Sequence, residues 1–167
     1  MNRRSLISMS VMTAVGFAVA AGSAAGAPAI DKRQLVGTWV LVSNTPTSPN
    51  ARTFGPNDGV AIFEANGRFA LSLVRSDLPK IASNNRDTGT PDENKAIVQG
   101  SIAYFGTYSV SEADGTVTLH IERSTFPNWN GTDQKRLIIS LTSNEFKYTN
   151  PAASVGGTAE LAWKRVE

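Results

Sequence analysis

The chain has 167 residues, no cysteine, a single histidine and a formal net charge of +2; that length suits one domain, no disulfide can brace it, and thiolate or histidine-cluster metal sites are excluded. Arg3 and Arg4 are the only charged residues before Asp31, and without residues 1–27 the acidic and basic residues are equal in number. The basic character therefore belongs to the N-terminal stretch, and the rest carries no electrostatic footprint for nucleic acid or anionic lipid.

Residues 1–27 read as an export signal: Arg3-Arg4, an uncharged stretch rich in Val, Ala, Gly and Ser, then the small-residue end Ala25-Gly26-Ala27. The arginine pair before Ser5-Leu6-Ile7 fits a twin-arginine signal and equally an ordinary secretory one, with cleavage after Ala25 or Ala27. The expected location is periplasmic or secreted. Gly16, Gly22, Ser23 and Gly26 dilute the hydrophobicity too far for a membrane anchor, so no stable insertion is expected after cleavage. Residues 28–167 are left as one domain.

After a short turn at Asp31-Lys32-Arg33, a first strand is predicted over about 36–43, with Trp39 and Leu41 on one face. A long irregular loop carries Pro46, Pro49 and Gly55-Pro56-Asn57. Strands 60–64 and 68–75 then flank Asn66-Gly67, a strong hairpin signal, and Phe69, Leu71, Leu73 and Arg75 share a face of the second. The connection 76–101 contains the one good helix, with Thr90 as N-cap, Pro91 at N1, Glu93 at N3 and Gly100 as its stop.

Strand 102–110 places Tyr104, Gly106, Tyr108 and Val110 on one side. Beyond Glu112-Ala113-Asp114-Gly115, the next strand alternates Val117, Leu119, Ile121 and Arg123 against Thr118, His120 and Glu122. Pairing Val110 with Val117 puts both apolar faces on one wall. A loop over 124–133 holds Phe126-Pro127-Asn128-Trp129-Asn130-Gly131. Strands 135–142, 145–149 and 158–166 complete the chain, the last with Leu161, Trp163 and Arg165 on one face.

The eight strands alternate tight and long connections, so the expected fold is an all-β, eight-stranded antiparallel up-and-down barrel with one short helix in the third-to-fourth strand connection. In such a meander the tight turns gather at one end and the long loops at the other. Function is expected at the long-loop rim.

Gly37-Thr38-Trp39 on the first strand resembles the Gly-x-Trp signature of lipocalins, a family that pairs this Trp with an Arg of the last strand across the barrel base; Arg165 stands where that Arg is expected. With Asn66-Gly67-Arg68, Tyr104-Phe105-Gly106-Thr107-Tyr108, the Phe126–Gly131 loop and Trp163-Lys164-Arg165, the chain resembles the lipocalin-like domain of bacterial exported proteins, in the calycin superfamily. The resemblance implies an eight-stranded barrel, a structural base of Gly37, Trp39 and Arg165, and by analogy a small hydrophobic ligand. It carries no catalytic residues.

At the rim, Arg75, Tyr104 and Arg123 end or begin strands on faces assigned inward, a set suited to the polar head of a small hydrophobic or amphipathic ligand. Tyr108, Phe69, Leu71 and Leu73 would take its tail, and Trp129 would lie over the opening. The bland alternative pairs the arginines with Asp77 and Glu122, and Trp129 equally suits packing of its own loop. His120 is expected on the outer face. No cofactor, metal or catalytic residue is predicted: Gly-x-Ser-x-Gly, P-loop and dinucleotide patterns are missing. The alternatives to a binding protein are a barrel enzyme of the cyclase or isomerase type using Tyr104 and Tyr108, a haem protein through His120, and a structural or interaction module with a filled barrel.

Overall fold

A computed structural model describes residues 30–49, 52 and 54–167; the export signal read in residues 1–27 lies outside them. The strands are β1 (Gly37–Pro46), β2 (Asn57–Phe63), β3 (Arg68–Arg75), β4 (Ser101–Ser111), β5 (Thr116–Ser124), β6 (Asp133–Leu141), β7 (Glu145–Asn150) and β8 (Ala159–Arg165). Each pairs antiparallel with its sequence neighbours, and β8 returns to β1 to close the barrel. At the Asn66-Gly67 turn Gly67 has φ +85° and the Asn66 Oδ1 accepts the Arg68 N–H, a local bond that sets the hairpin register. Val110 stands opposite Val117, so the apolar faces of β4 and β5 do form one wall.

The helix α1 (Pro91–Gly100) is fixed by a reciprocal capping box. The Thr90 hydroxyl accepts the Glu93 N–H, and the Glu93 carboxylate accepts those of Thr90 and Ala82; these backbone bonds hold its carboxyl below the usual range. Among the described residues no helix is long and apolar enough to cross a membrane.

Inside, an aromatic column fills the barrel. Trp39 meets Phe146, which meets Phe63 and Tyr148; Phe63 meets Phe69, Phe69 meets Tyr104, and Tyr104 meets Trp129, with ring centroids 5.0–6.1 Å apart. Phe63 and Phe69 are stacked, at 21° between planes, and the other pairs are tilted or edge-to-face. Trp39 and Trp163 are fully buried.

The base is sealed by a 3-10 turn, Lys32–Leu35, whose Leu35 is buried and whose Leu35 carbonyl accepts the Trp39 Nε1–H at 2.8 Å. The Arg165 guanidinium lies 4.3 Å from the Trp39 ring centroid and donates to the carbonyls of Val36, Gln34 and Ser143. Gly37 makes this possible: its φ is +138°, and a Cβ there would stand 2.2 Å from Arg165 Nη1. Gly37, Trp39 and Arg165 thus meet as one clamp, with cation–π geometry.

Three β-bulges break the inward–outward alternation, between Leu41 and Ser43 in β1, around Glu122 in β5 and around Ile139 in β6. The second sits beside Gly106, where a Cβ would fall 1.9 Å from the His120 carbonyl oxygen. The bulge in β5 re-aims Arg123, with consequences for the site.

Candidate functional site

The long connections 47–56, 76–100, 125–132 and 151–158 gather at one end of the barrel, and a cavity of about 40 Å³ lies there. Its apolar walls are Phe54, Leu73, Ile102, Trp129 and Leu161; Tyr104, Tyr148, Asn44 and Asn150 supply polar edges, and Arg52 stands at its border. Among the described residues no Asp or Glu lines it.

The eight residues expected to hold a ligand divide into two groups. Tyr104, Leu73 and Trp129 line the cavity. Arg75, Arg123, Tyr108, Phe69 and Leu71 do not, each for a local reason.

Arg75 is held bidentately by Asp77, at 2.7 and 2.5 Å, and its hydrogen bonds keep that carboxyl below its ordinary range. The stem packs against Gly100 and Gly55, so Arg75 ties the rim loops together. Arg123 was expected inward by simple alternation. The bulge adds a residue between Ile121 and Arg123, so Arg123 sits opposite Phe105 on the outer face and donates to the Glu122 carbonyl. Tyr108 lies near the tight-turn end, its ring 5.1 Å from Phe63 and its hydroxyl donating to the Glu64 carbonyl. Phe69 and Leu71 are buried core.

Trp129 caps this end from a 3-10 turn, Pro127–Trp129. Its ring stands edge-on to Tyr104 at 5.3 Å and to Phe126 at 5.8 Å. His120 is exposed on the outer face, its Nδ1 2.8 Å from Asp133. Among the described residues no cluster of three or more metal-ligating side chains occurs.

Beneath Trp129 lies a residue that alternation alone did not single out. Arg136 of β6 is 1 % exposed. Its Nη1 donates to the Lys135 carbonyl at 2.8 Å and to Asn150 Oδ1 at 3.1 Å, and its Nη2 reaches the Tyr104 hydroxyl at 3.4 Å. The guanidinium carbon lies 5.8 Å from the ring centroids of both Trp129 and Tyr148. Burial opposes its charge, but the Tyr104 and Tyr148 oxygens offset that, and its pKa is raised above the ordinary guanidinium value. Burial likewise pushes the Tyr148 phenol well up. The available signal was register: Arg136 stands opposite Val117, a residue already assigned inward, and directly opposed residues share a face.

The family model for a lipocalin-like domain matches residues 36–166. Among solved structures the chain is similar to a redesigned beta barrel, 16% identical, with 81% of this chain and 94% of that chain covered and a TM-score of 0.44. No curated protein matches it.

Proposed function

Because the chain belongs to the lipocalin-like domain family, we propose that it is an exported, non-enzymatic binding protein that holds a small hydrophobic or amphipathic molecule at the rim of its barrel. The observation that carries this reading is the rim cavity, walled by Phe54, Leu73, Ile102, Tyr104, Trp129, Tyr148 and Leu161 at the end built from the long loops. The buried polar side chains, Arg136 and Asn150, neither take nor give a proton near neutral pH, which favours binding over the acid–base chemistry of a cyclase or isomerase.

Ligand-observed NMR with small fragments, benzyl alcohol, benzamide and benzoate, tests the reading. At least one is expected to bind the protein, and Ala159→Phe, which fills the cavity from the start of β8, is expected to abolish that binding while the fold persists. Binding retained in the filled variant would sink the assignment. The aromatic column that fills the lower barrel favours a second reading, an interaction module whose rim loops contact a protein partner; binding of no fragment is the outcome that selects it.

The export half of the proposal rests on residues 1–27. The protein recovered from the periplasm or medium is expected to begin at Gly26 or Pro28 on N-terminal sequencing; an intact Met1 on exported protein would refute cleavage.

A further inference from the structure

We propose that the rim cavity is selective for compact carboxylates, with Arg136 taking the carboxylate on its free Nε–Nη2 edge; this deepens the binding reading above and rests on it. A guanidinium has five N–H donors in a planar fork. In Arg136 both Nη1 hydrogens are occupied by Lys135 and Asn150, and Nη2 makes one long bond to Tyr104. Nε has no hydrogen-bond partner among the described residues. The unfilled edge is the one whose two parallel N–H groups match a carboxylate bidentately.

Three further observations give this edge a ligand rather than a structural duty. Arg136 is 1 % exposed, and none of the ion pairs among the described residues includes it. A buried charge is ordinarily paired, because removing it from water uncompensated is strongly unfavourable. Arg136 is not itself a wall of the cavity, but Tyr104, Tyr148, Asn150 and Trp129, which surround the guanidinium, are. The edge therefore lies one side chain behind the cavity, and the Tyr104 hydroxyl, held by a single 3.4 Å bond, is the group that a carboxylate displaces to reach it. Finally, among the described residues the cavity wall carries no carboxylate and has Arg52 at its border, so its electrostatic sign suits an anion throughout. Asn150 adds to this: its Oδ1 is taken by Arg136 and the Ala152 N–H, which leaves its amide N–H groups as donors.

The size follows from packing. The ring column from Trp39 to Tyr104 closes the barrel below, and the remaining 40 Å³ holds roughly three water-sized groups. A carboxylate head fits that space, and a short apolar body fits at its open border beside Phe54 and Pro46. A long acyl chain would have to displace the ring column. The ligand class is therefore single-ring or short-chain carboxylates rather than long-chain fatty acids.

Benzoate, its neutral isostere benzamide, and palmitate separate the alternatives by calorimetric titration of the protein, with the arginine Nε–H resonances followed by NMR. Benzoate is expected to bind about tenfold or more tightly than benzamide, the range for hydrogen bonds to charged groups, and more tightly than palmitate. It is expected to shift the Arg136 Nε–H signal. Arg136→Lys, which keeps the charge and loses the fork, is expected to weaken benzoate about tenfold and leave benzamide within about twofold. Equal binding of benzoate and benzamide overturns the anion selectivity and leaves the cavity reading standing; binding of neither overturns both. Benzoate binding without a shift at the Arg136 Nε–H overturns the role of this arginine, whether or not Arg136→Lys folds, and palmitate binding more tightly than benzoate overturns the size limit.

Discussion

Trp39→Ala is expected to lower the stability of the protein by about 3–5 kcal/mol, a fall of roughly 6–20 °C in Tm for a domain of this size. Three losses combine. The indole is fully buried against Phe146, and its removal leaves a cavity at the sealed end, where the 3-10 turn and the paired strands limit collapse. The Leu35 carbonyl loses its indole donor, a buried acceptor left unsatisfied. Arg165 loses the ring face 4.3 Å beneath it, an attraction of about 0.5–2 kcal/mol. These terms overlap, so their sum is not the expectation; the cavity term dominates. Urea unfolding monitored by far-UV circular dichroism measures it, and stability within about 0.5 kcal/mol of wild type, the range of ordinary surface changes, would show that the base is not held by this clamp.

Gly106→Ala is expected to destabilise by about 3 kcal/mol or more, at or beyond the upper end of overpacking effects. Its φ is not among the positive values, so the requirement is space rather than conformational freedom. A Cβ at this position would stand 1.9 Å from the His120 carbonyl oxygen and 2.9 Å from the Glu122 nitrogen. Both are backbone atoms, and neither can rotate aside as a side chain would. β5 must either withdraw from β4 or lose its bulge. In the second case Arg123 returns to the inward alternation and enters a core already filled by Ile121, Tyr104 and Trp129. Thermal unfolding gives the magnitude, and loss of the Tyr104–Ser124 pairing, seen as faster amide exchange at the end of β5, identifies the cause. An alanine variant with wild-type Tm and exchange would refute the close-approach account.

The barrel was legible because each strand obeys local rules. Asn66-Gly67 can hardly be anything but a hairpin turn, and Thr90-Pro91-Asp92-Glu93 carries its own cap. The alternation of Val117, Leu119 and Ile121 states which face is inside. The candidate site was less legible because alternation presumes a continuous pleat. One extra residue at Glu122 moves Arg123 outward, and another at Ile139 lets Ile138 and Leu141 both face inward, opposite Tyr148 and Phe146. A bulge depends on how closely the neighbouring backbone approaches, as at Gly106, and no pattern within the bulged strand announces it. Arg136 was obscured differently. Its strand has apolar residues on both faces, with Leu137 and Ile139 exposed outside, so hydrophobicity alone does not say which side is in. Only the register against β5 does.

The joining of β8 to β1 sets the order in which the molecule can assemble. The bond from Arg165 to the Val36 carbonyl spans 129 residues of sequence, so the contact that locks the sheet is among the most remote in the chain. Folding dominated by such non-local pairing runs on the millisecond-to-second scale. During synthesis the curled sheet keeps two open edges, β1 and β7, until Ala159–Arg165 is available. Open edges recruit other strands. A chain cut short before Ala159 is therefore a template for intermolecular pairing, and only the final strand turns it into a surface with no edge to offer.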